Sequence, residues 1–230
     1  MRQRPDTVML FAAGLGTRMG ALTHDRPKPL IEVAGKALID HALAEVRAAG
    51  LSRVVVNAHY RAKQIVAHVA GTDIRVSHES PDLLDTGGGL RAALPLTGPG
   101  PLFTMNTDAV WAGPNPLAAL AAGWQPEEMD ALLLCVTPAQ AIGHAGMGDF
   151  KLGSQGRATR GPGLVYTGVQ IIKTDLLAKI PEAAFSLNLV WDRMIAAGRL
   201  YGMPYDGAWC DVGHPAGITL AEEMLRNADV

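Results

Sequence analysis

Short apolar runs alternate with stretches of helical periodicity through the first 140 residues. The runs predict strands near 7–11, 53–57, 73–78, 101–106 and 130–136, and the patterns between them predict helices near 38–49, 61–70, 87–94 and 116–122. This is the βαβ rhythm of a mostly parallel sheet flanked by helices, an α/β fold of Rossmann-like type. Between Leu38 and Ala49, the residues Leu38, Ala42, Leu43 and Val46 follow the 3.6-residue repeat, and the pattern stops at Gly50, a residue suited to a C-terminal cap. That apolar face is expected to lie on the sheet.

Beyond residue 140 the rhythm changes. A glycine-rich stretch from Gly143 to Gly163 precedes a strand at Val165–Ile171, a helix at Leu187–Ala197, strands near 200–205 and 208–212, and a closing helix at Ala216–Asn227. This part of the chain is expected to form a lid and substrate-facing subregion. With no internal repeat and no low-complexity tail, 230 residues at 48% hydrophobic content suggest one domain with a substantial core.

Charge narrows the partners. The net charge is −2, with lysine and arginine scattered along the chain, so the footprint of a nucleic-acid binder is missing. The apolar run behind Met1–Asp6 is only a few residues long and stops at glycine, too short for a signal peptide or membrane span, so a cytoplasmic location with no membrane partner is expected. Cys135 and Cys210 have neither CxxC spacing nor a disulfide framework and are expected to be free thiols.

The chemistry begins directly after the first apolar run. Thr7–Phe11 reads as a short buried strand, and Ala12-Ala13-Gly14-Leu15-Gly16-Thr17 permits a turn tight enough for backbone N–H groups to face a bound anion. Arg18 and Lys28, the latter in Arg26-Pro27-Lys28-Pro29-Leu30, supply the charge that a polyphosphate needs. Asp108 and Asp211 fall at the ends of expected strands, where an open α/β sheet presents its ligand crevice, and could share a Mg²⁺ ion; each alone also suits a turn or a helix cap. Glu79, followed by Asp85-Thr86-Gly87-Gly88-Gly89, offers a carboxylate and closely approachable backbone for the edge of a flat base. A helix start capped by Asp85 or Thr86 explains the same residues without a ligand. None of the seven histidines has metal-ligand spacing, and no nucleophile–base set is visible.

Taken together, Ala13-Gly14-Leu15-Gly16-Thr17-Arg18, Pro27-Lys28-Pro29-Leu30, Asn106-Thr107-Asp108 and Trp209-Cys210-Asp211-Val212-Gly213 resemble the sugar-1-phosphate nucleotidyltransferases, in the family's order and across nearly the whole chain. The short length, the Asp85–Gly89 run, Gly148-Asp149-Phe150 and Phe185-Ser186-Leu187-Asn188 are similar to the compact members acting on N-acetylmuramate 1-phosphate. The resemblance implies the nucleotide-diphospho-sugar transferase fold: a mixed, mostly parallel sheet in a single domain over 1–230 without a C-terminal β-helix. About 1–140 would be the nucleotide-binding core, and about 141–230 the sugar-binding subregion and closing helix. It further implies that Ala13, Gly14, Gly16, Thr17 and Asn106 bind the nucleotide and that Arg18 and Lys28 neutralise the reacting phosphates. Glu79 and Gly88 would read the base, Asp149, Gly168 and Asn188 would line the sugar pocket, and Asp108 and Asp211 would hold Mg²⁺.

The implied partners are a nucleoside triphosphate, with UTP the first choice, and a sugar 1-phosphate, bound by a monomer or small homo-oligomer. Departures from the family pattern are Gly20-Ala21 for Arg-Pro, Thr107 for glycine and His214 for threonine. Other readings stay in view. Glucose-1-phosphate, mannose-1-phosphate and phospho-alcohol acceptors belong to the same superfamily, and a sugar-nucleotide sensor would share the binding motifs without needing both aspartates. A nicotinamide oxidoreductase would want an acidic residue at the end of the second strand, where Val54-Val55-Val56 runs into Asn57-Ala58-His59.

Overall fold

The computed structural model describes residues 4–228. The strands are β1 (Thr7–Phe11), β2 (Glu32–Val33), β3 (Lys36–Ala37), β4 (Arg53–Ala58), β5 (Arg75–His78), β6 (Leu102–Asn106), β7 (Ala109–Ala112), β8 (Ala131–Val136), β9 (Ala141–Ile142), β10 (Phe150–Leu152), β11 (Ala158–Arg160), β12 (Val165–Ile172), β13 (Leu200–Pro204) and β14 (Ala208–Asp211). The helices are α1 (Leu38–Ala48), α2 (Ala62–His68), α3 (Asp85–Thr97), α4 (Pro116–Gly123), α5 (Asn188–Ala196) and α6 (Ala216–Ala228).

Seven strands form the central sheet in the order β13-β8-β12-β6-β1-β4-β5. Pairing is parallel except for β12, which runs antiparallel to both β6 and β8. Strand order reverses between β1 and β6, the switch point at which open sheets leave a crevice beyond their carboxyl ends. Buried side chains of α1, α2 and α4 cover one face of the sheet, and those of α3 and α5 cover the other. The expected α/β fold with a mixed, mostly parallel sheet is the observed one, and strands from both halves of the chain share this sheet.

Helix α1 follows its sequence pattern closely. Leu38, Ala42, Leu43 and Val46 are all buried, and the chain leaves the helix through Gly50 at φ +70°. Only glycine takes that conformation without strain.

Three features go beyond the sequence pattern. Residues 17–23 and 28–30 form 3-10 turns, not open loop. The glycine-rich stretch contains a small antiparallel pair, β10 with β11. Most consequential, β7 leaves the central sheet immediately after Asp108 and pairs antiparallel with β14, which also pairs with β9. Thr107 marks the exit: it is buried, and its Oγ1 donates to the Phe11 carbonyl at 2.7 Å, tying the end of β6 to the end of β1. Helix α6 packs on this second sheet around Val110, Cys210, Val212, Ala221 and Met224. Both cysteines are free and buried, and burial pushes their thiols up to about 12. Among the described residues, no helix is long and apolar enough to cross a membrane.

Candidate active site

A cleft of about 430 Å³ opens at the carboxyl ends of β1, β4 and β6. Its first wall is the loop after β1. The Ala12 N–H donates to Asn57 Oδ1 at 2.7 Å, which fixes where the loop leaves the sheet. The N–H groups of Gly14, Leu15 and Gly16 then find no acceptor among the described residues. Such unpaired donors around a bend form an anion cradle.

The two glycines of this bend have different constraints. Gly16 sits at φ +65°, and a methyl there would stand 2.9 Å from Lys28 Cβ and 3.0 Å from Thr23 Cγ2. Gly14 lies outside the positive-φ region, and a methyl on it would meet nothing within 4 Å.

Lys28 lies on the second wall, where Pro27 and Pro29 hold the backbone of a short turn. The residue is 8% exposed, and its Nζ donates to Asp108 Oδ2 at 2.9 Å. Outside the cleft, the preceding segment is braced by Tyr60 Oη donating to the Thr23 carbonyl and by Gln64 Nε2 donating to that of Asp25, each at 2.8 Å.

Asp108 and Asp211 are neighbours because β7 and β14 pair: Ala109 stands opposite Asp211, and the Val212 N–H donates to the Asp108 carbonyl at 2.8 Å. Burial and the facing charge of Asp108 raise the Asp211 carboxyl above its ordinary value, against the opposing pull of Lys28, Arg18 and His144. A methyl on Gly213 would stand 3.0 Å from Asp211 Oδ2 and 3.1 Å from Arg18 Nη1, so the guanidinium and the carboxylate lie against the same backbone. Two close carboxylates beside cations and an anion cradle fit a hard divalent cation that completes its shell with phosphate and water oxygens. Among the described residues, no group of three His, Cys, Asp or Glu side chains could hold a metal by itself.

Glu79 lines the cleft but is 2% exposed and internally bonded, with Oε1 accepting from Asn57 Nδ2 at 2.7 Å and Oε2 from the Leu84 N–H at 2.8 Å. Asp85, at φ +58°, and Thr86 also line the cleft at the start of α3. The three glycines do not. Gly87 and Gly88 both donate to the Phe185 carbonyl, and a methyl on Gly88 would fall 2.4 Å from the Ala183 carbonyl. Their smallness admits the 183–185 segment.

The structure therefore brings Ala13, Gly14, Gly16, Thr17, Arg18, Lys28, Glu79, Asn106 and Asp108 to one cleft, with Asp211 at its rim beside Asp108. Gly88 is packed behind the wall. Gly168, at φ +84°, backs Asn106, since a methyl there would lie 2.8 Å from the Asn106 amide. Asp149 and Asn188 lie outside this cleft. Asp149 accepts from the Tyr166 N–H at 2.9 Å, and Asn188 Oδ1 accepts from Arg160 at 2.8 Å.

Sequence reasoning passed over the part that Asn57 plays in the cleft. The available signal for Asn57 was an amide closing an otherwise apolar strand. The unusual Thr107 leaves the carboxylate pair undisturbed, because its hydroxyl is turned to β1. His214 ties the rim to the glycine-rich stretch through a 3.1 Å bond between Nε2 and the Gly143 carbonyl.

Comparison with known proteins gives the family. Residues 8–203 match the family of the MobA-like NTP transferase domain. The chain is 41% identical to an N-acetylmuramate alpha-1-phosphate uridylyltransferase of Caulobacter vibrioides, with 99% of this chain and 100% of that one covered. It is 33% identical to the protein of the same name from Neisseria meningitidis serogroup B, over 89% and 92% of the two chains. In fold it is similar to HddC from Yersinia pseudotuberculosis, solved in complex with GMP-PN, at a TM-score of 0.76, 18% identity and coverage of 95% and 99%. The family match over residues 8–203 and this full-length similarity lead to one conclusion: the chain belongs to the sugar-1-phosphate nucleotidyltransferases, in the family of the MobA-like NTP transferase domain.

Proposed function

We propose that the chain transfers UMP from UTP to N-acetylmuramate α-1-phosphate, releasing pyrophosphate, in a Mg²⁺-dependent step of cytoplasmic cell-wall recycling. The observation that carries this choice of substrates is the 41% identity extending over the full length of a uridylyltransferase of that specificity. An oxygen of the sugar phosphate attacks the α-phosphorus, the bond from that phosphorus to the bridging oxygen breaks, and pyrophosphate leaves with the electron pair. The nucleophile is already anionic, so no base is needed, consistent with a cleft that no histidine lines.

The chain contributes alignment and charge. The loop N–H groups from Gly14 to Gly16 hold the triphosphate, while Lys28 and Arg18 face the charge that accumulates on the departing group. Asp108 and Asp211 are the residues that would hold Mg²⁺, which supplies further neutralisation of phosphate oxygens.

The test crosses UTP, CTP, GTP and dTTP with the 1-phosphates of N-acetylmuramate, glucose, mannose and N-acetylglucosamine, scored by pyrophosphate formation. The highest kcat/KM is expected for UTP with N-acetylmuramate 1-phosphate, abolished by EDTA and restored by Mg²⁺. Faster turnover with another pair would replace the substrate assignment, and turnover undiminished by chelation would remove the metal.

A further inference from the structure

Asn57 and Glu79 both line the cleft and are buried, 3% and 2% exposed. The Asn57 amide has one orientation available. Its Oδ1 accepts from the Ala12 N–H, which leaves Nδ2 to donate to the Glu79 carboxylate. The second carboxylate oxygen holds the Leu84 N–H. From Leu84 the bonding continues: its carbonyl accepts from the Phe185 N–H at 3.0 Å, and the Phe185 carbonyl accepts from Gly87 and Gly88 at 2.8 and 3.0 Å. A methyl on Gly89 would fall 2.4 Å from Glu79 Oε1, so the first turn of α3 is pared down where it seats this carboxylate.

The phosphate loop, the 79–84 loop and the 183–188 segment leading into α5 thus hang on one buried chain, with the Asn57–Glu79 bond as its middle link. Buried polar groups strongly resist losing their partners, so the three segments keep a common register.

We infer that Asn57 and Glu79 are positioning residues for nucleotidyl transfer: their mutual bond aligns the phosphate loop with the 79–84 loop and with the 183–188 segment packed behind the start of α3. The inference rests on the transferase reading. It also changes the expected part of Glu79, whose carboxylate orders the cleft from behind while base contacts fall to groups that remain free.

A reciprocal exchange tests this. Glu79→Gln places an NH₂ where two N–H donors need acceptors, and Asn57→Asp sets a second carboxylate against Glu79. The double variant N57D/E79Q re-forms every bond with the charge kept. The introduced carboxylate accepts from the Ala12 N–H and from the introduced amide, whose oxygen accepts from Leu84. Each single variant is expected to lose roughly 10- to 100-fold in kcat/KM for UTP. The double variant is expected to return to within about fivefold of the parent, a coupling that independent sites do not show. Amide exchange at Ala12 and Leu84 should quicken in the singles and slow again in the double.

Multiplying losses in the double variant would overturn the inference. So would protection that returns without kcat/KM, which marks a merely structural pair. A changed preference among UTP, CTP and GTP in Glu79→Gln would equally overturn it, because Glu79 would then touch the base. Parent protein that forms no pyrophosphate would sink the transferase reading alone, and calorimetric UTP affinity, which must follow the same pattern of singles and double, would then decide the inference.

Discussion

The two glycines of the phosphate loop should respond to alanine in opposite ways. At Gly16, alanine must adopt φ +65°, a left-handed conformation that costs about 1–2 kcal/mol. Its methyl must also displace Lys28 Cβ from 2.9 Å and Thr23 Cγ2 from 3.0 Å, overpacking worth about 1–3 kcal/mol. The sum, about 2–5 kcal/mol, lowers the melting midpoint of a chain this size by roughly 5–15 °C. At Gly14 the same substitution meets no protein atom within 4 Å and requires no positive φ, so stability should hold or rise by about 0.4–1 kcal/mol through reduced freedom of the unfolded chain.

Activity should part from stability at this second position. On the proposed placement of the triphosphate the Gly14 methyl intrudes among the loop N–H groups that hold it, and one lost charge-assisted bond, about 1.5–3 kcal/mol, corresponds to roughly 10- to 100-fold in kcat/KM. Differential scanning calorimetry with a pyrophosphate-release assay on both variants reads the contrast. A Gly14→Ala enzyme with unchanged kcat/KM for UTP would refute the placement of the triphosphate on this loop. A Gly16→Ala enzyme melting at the parental temperature would refute the packing argument.

Lys28→Ala and Asp108→Ala should each lower kcat by about 10²–10³, the usual consequence of removing one group that stabilises developing charge; turnover within a few-fold of the parent would reject their roles. Asp211 gives a pH signature. Its folded pKa is raised, so the metal-free native state binds protons more tightly than the unfolded chain, and stability is greatest below the unfolded pKa and declines as pH rises through the folded one. In EDTA, Asp211→Asn should therefore melt above the parent at neutral pH, lose that advantage below about pH 4, and turn over poorly; a lower midpoint at neutral pH would contradict the crowding of charge. Gly168→Ala combines φ +84° with a methyl 2.8 Å from the Asn106 amide and should destabilise by about 2–4 kcal/mol while raising KM for UTP. Unchanged melting and KM would show that Asn106 does not depend on this backing.

What the sequence itself determined was local. Apolar runs such as Val8–Phe11 and Ala131–Val136 specify strands because no polar residue within them asks for water. The spacing Leu38, Ala42, Leu43, Val46 with Gly50 behind it specifies a helix and its end, and the Gly14–Lys28 motif puts backbone freedom and positive charge close together in the chain.

Tertiary structure decided whatever depends on partners far away in sequence. The antiparallel course of β12 and the departure of β7 from the main sheet are choices of pairing, which side-chain pattern alone leaves open. That departure is what sets Asp108 beside Asp211. The triple glycine has the same lesson in reverse: a backbone suited to a ligand is equally suited to another segment of chain, and here Phe185 and Glu79 occupy the space. Asn57 acquires its role only where two loops meet, because a hydrogen-bond donor has no meaning until folding supplies the acceptor it faces.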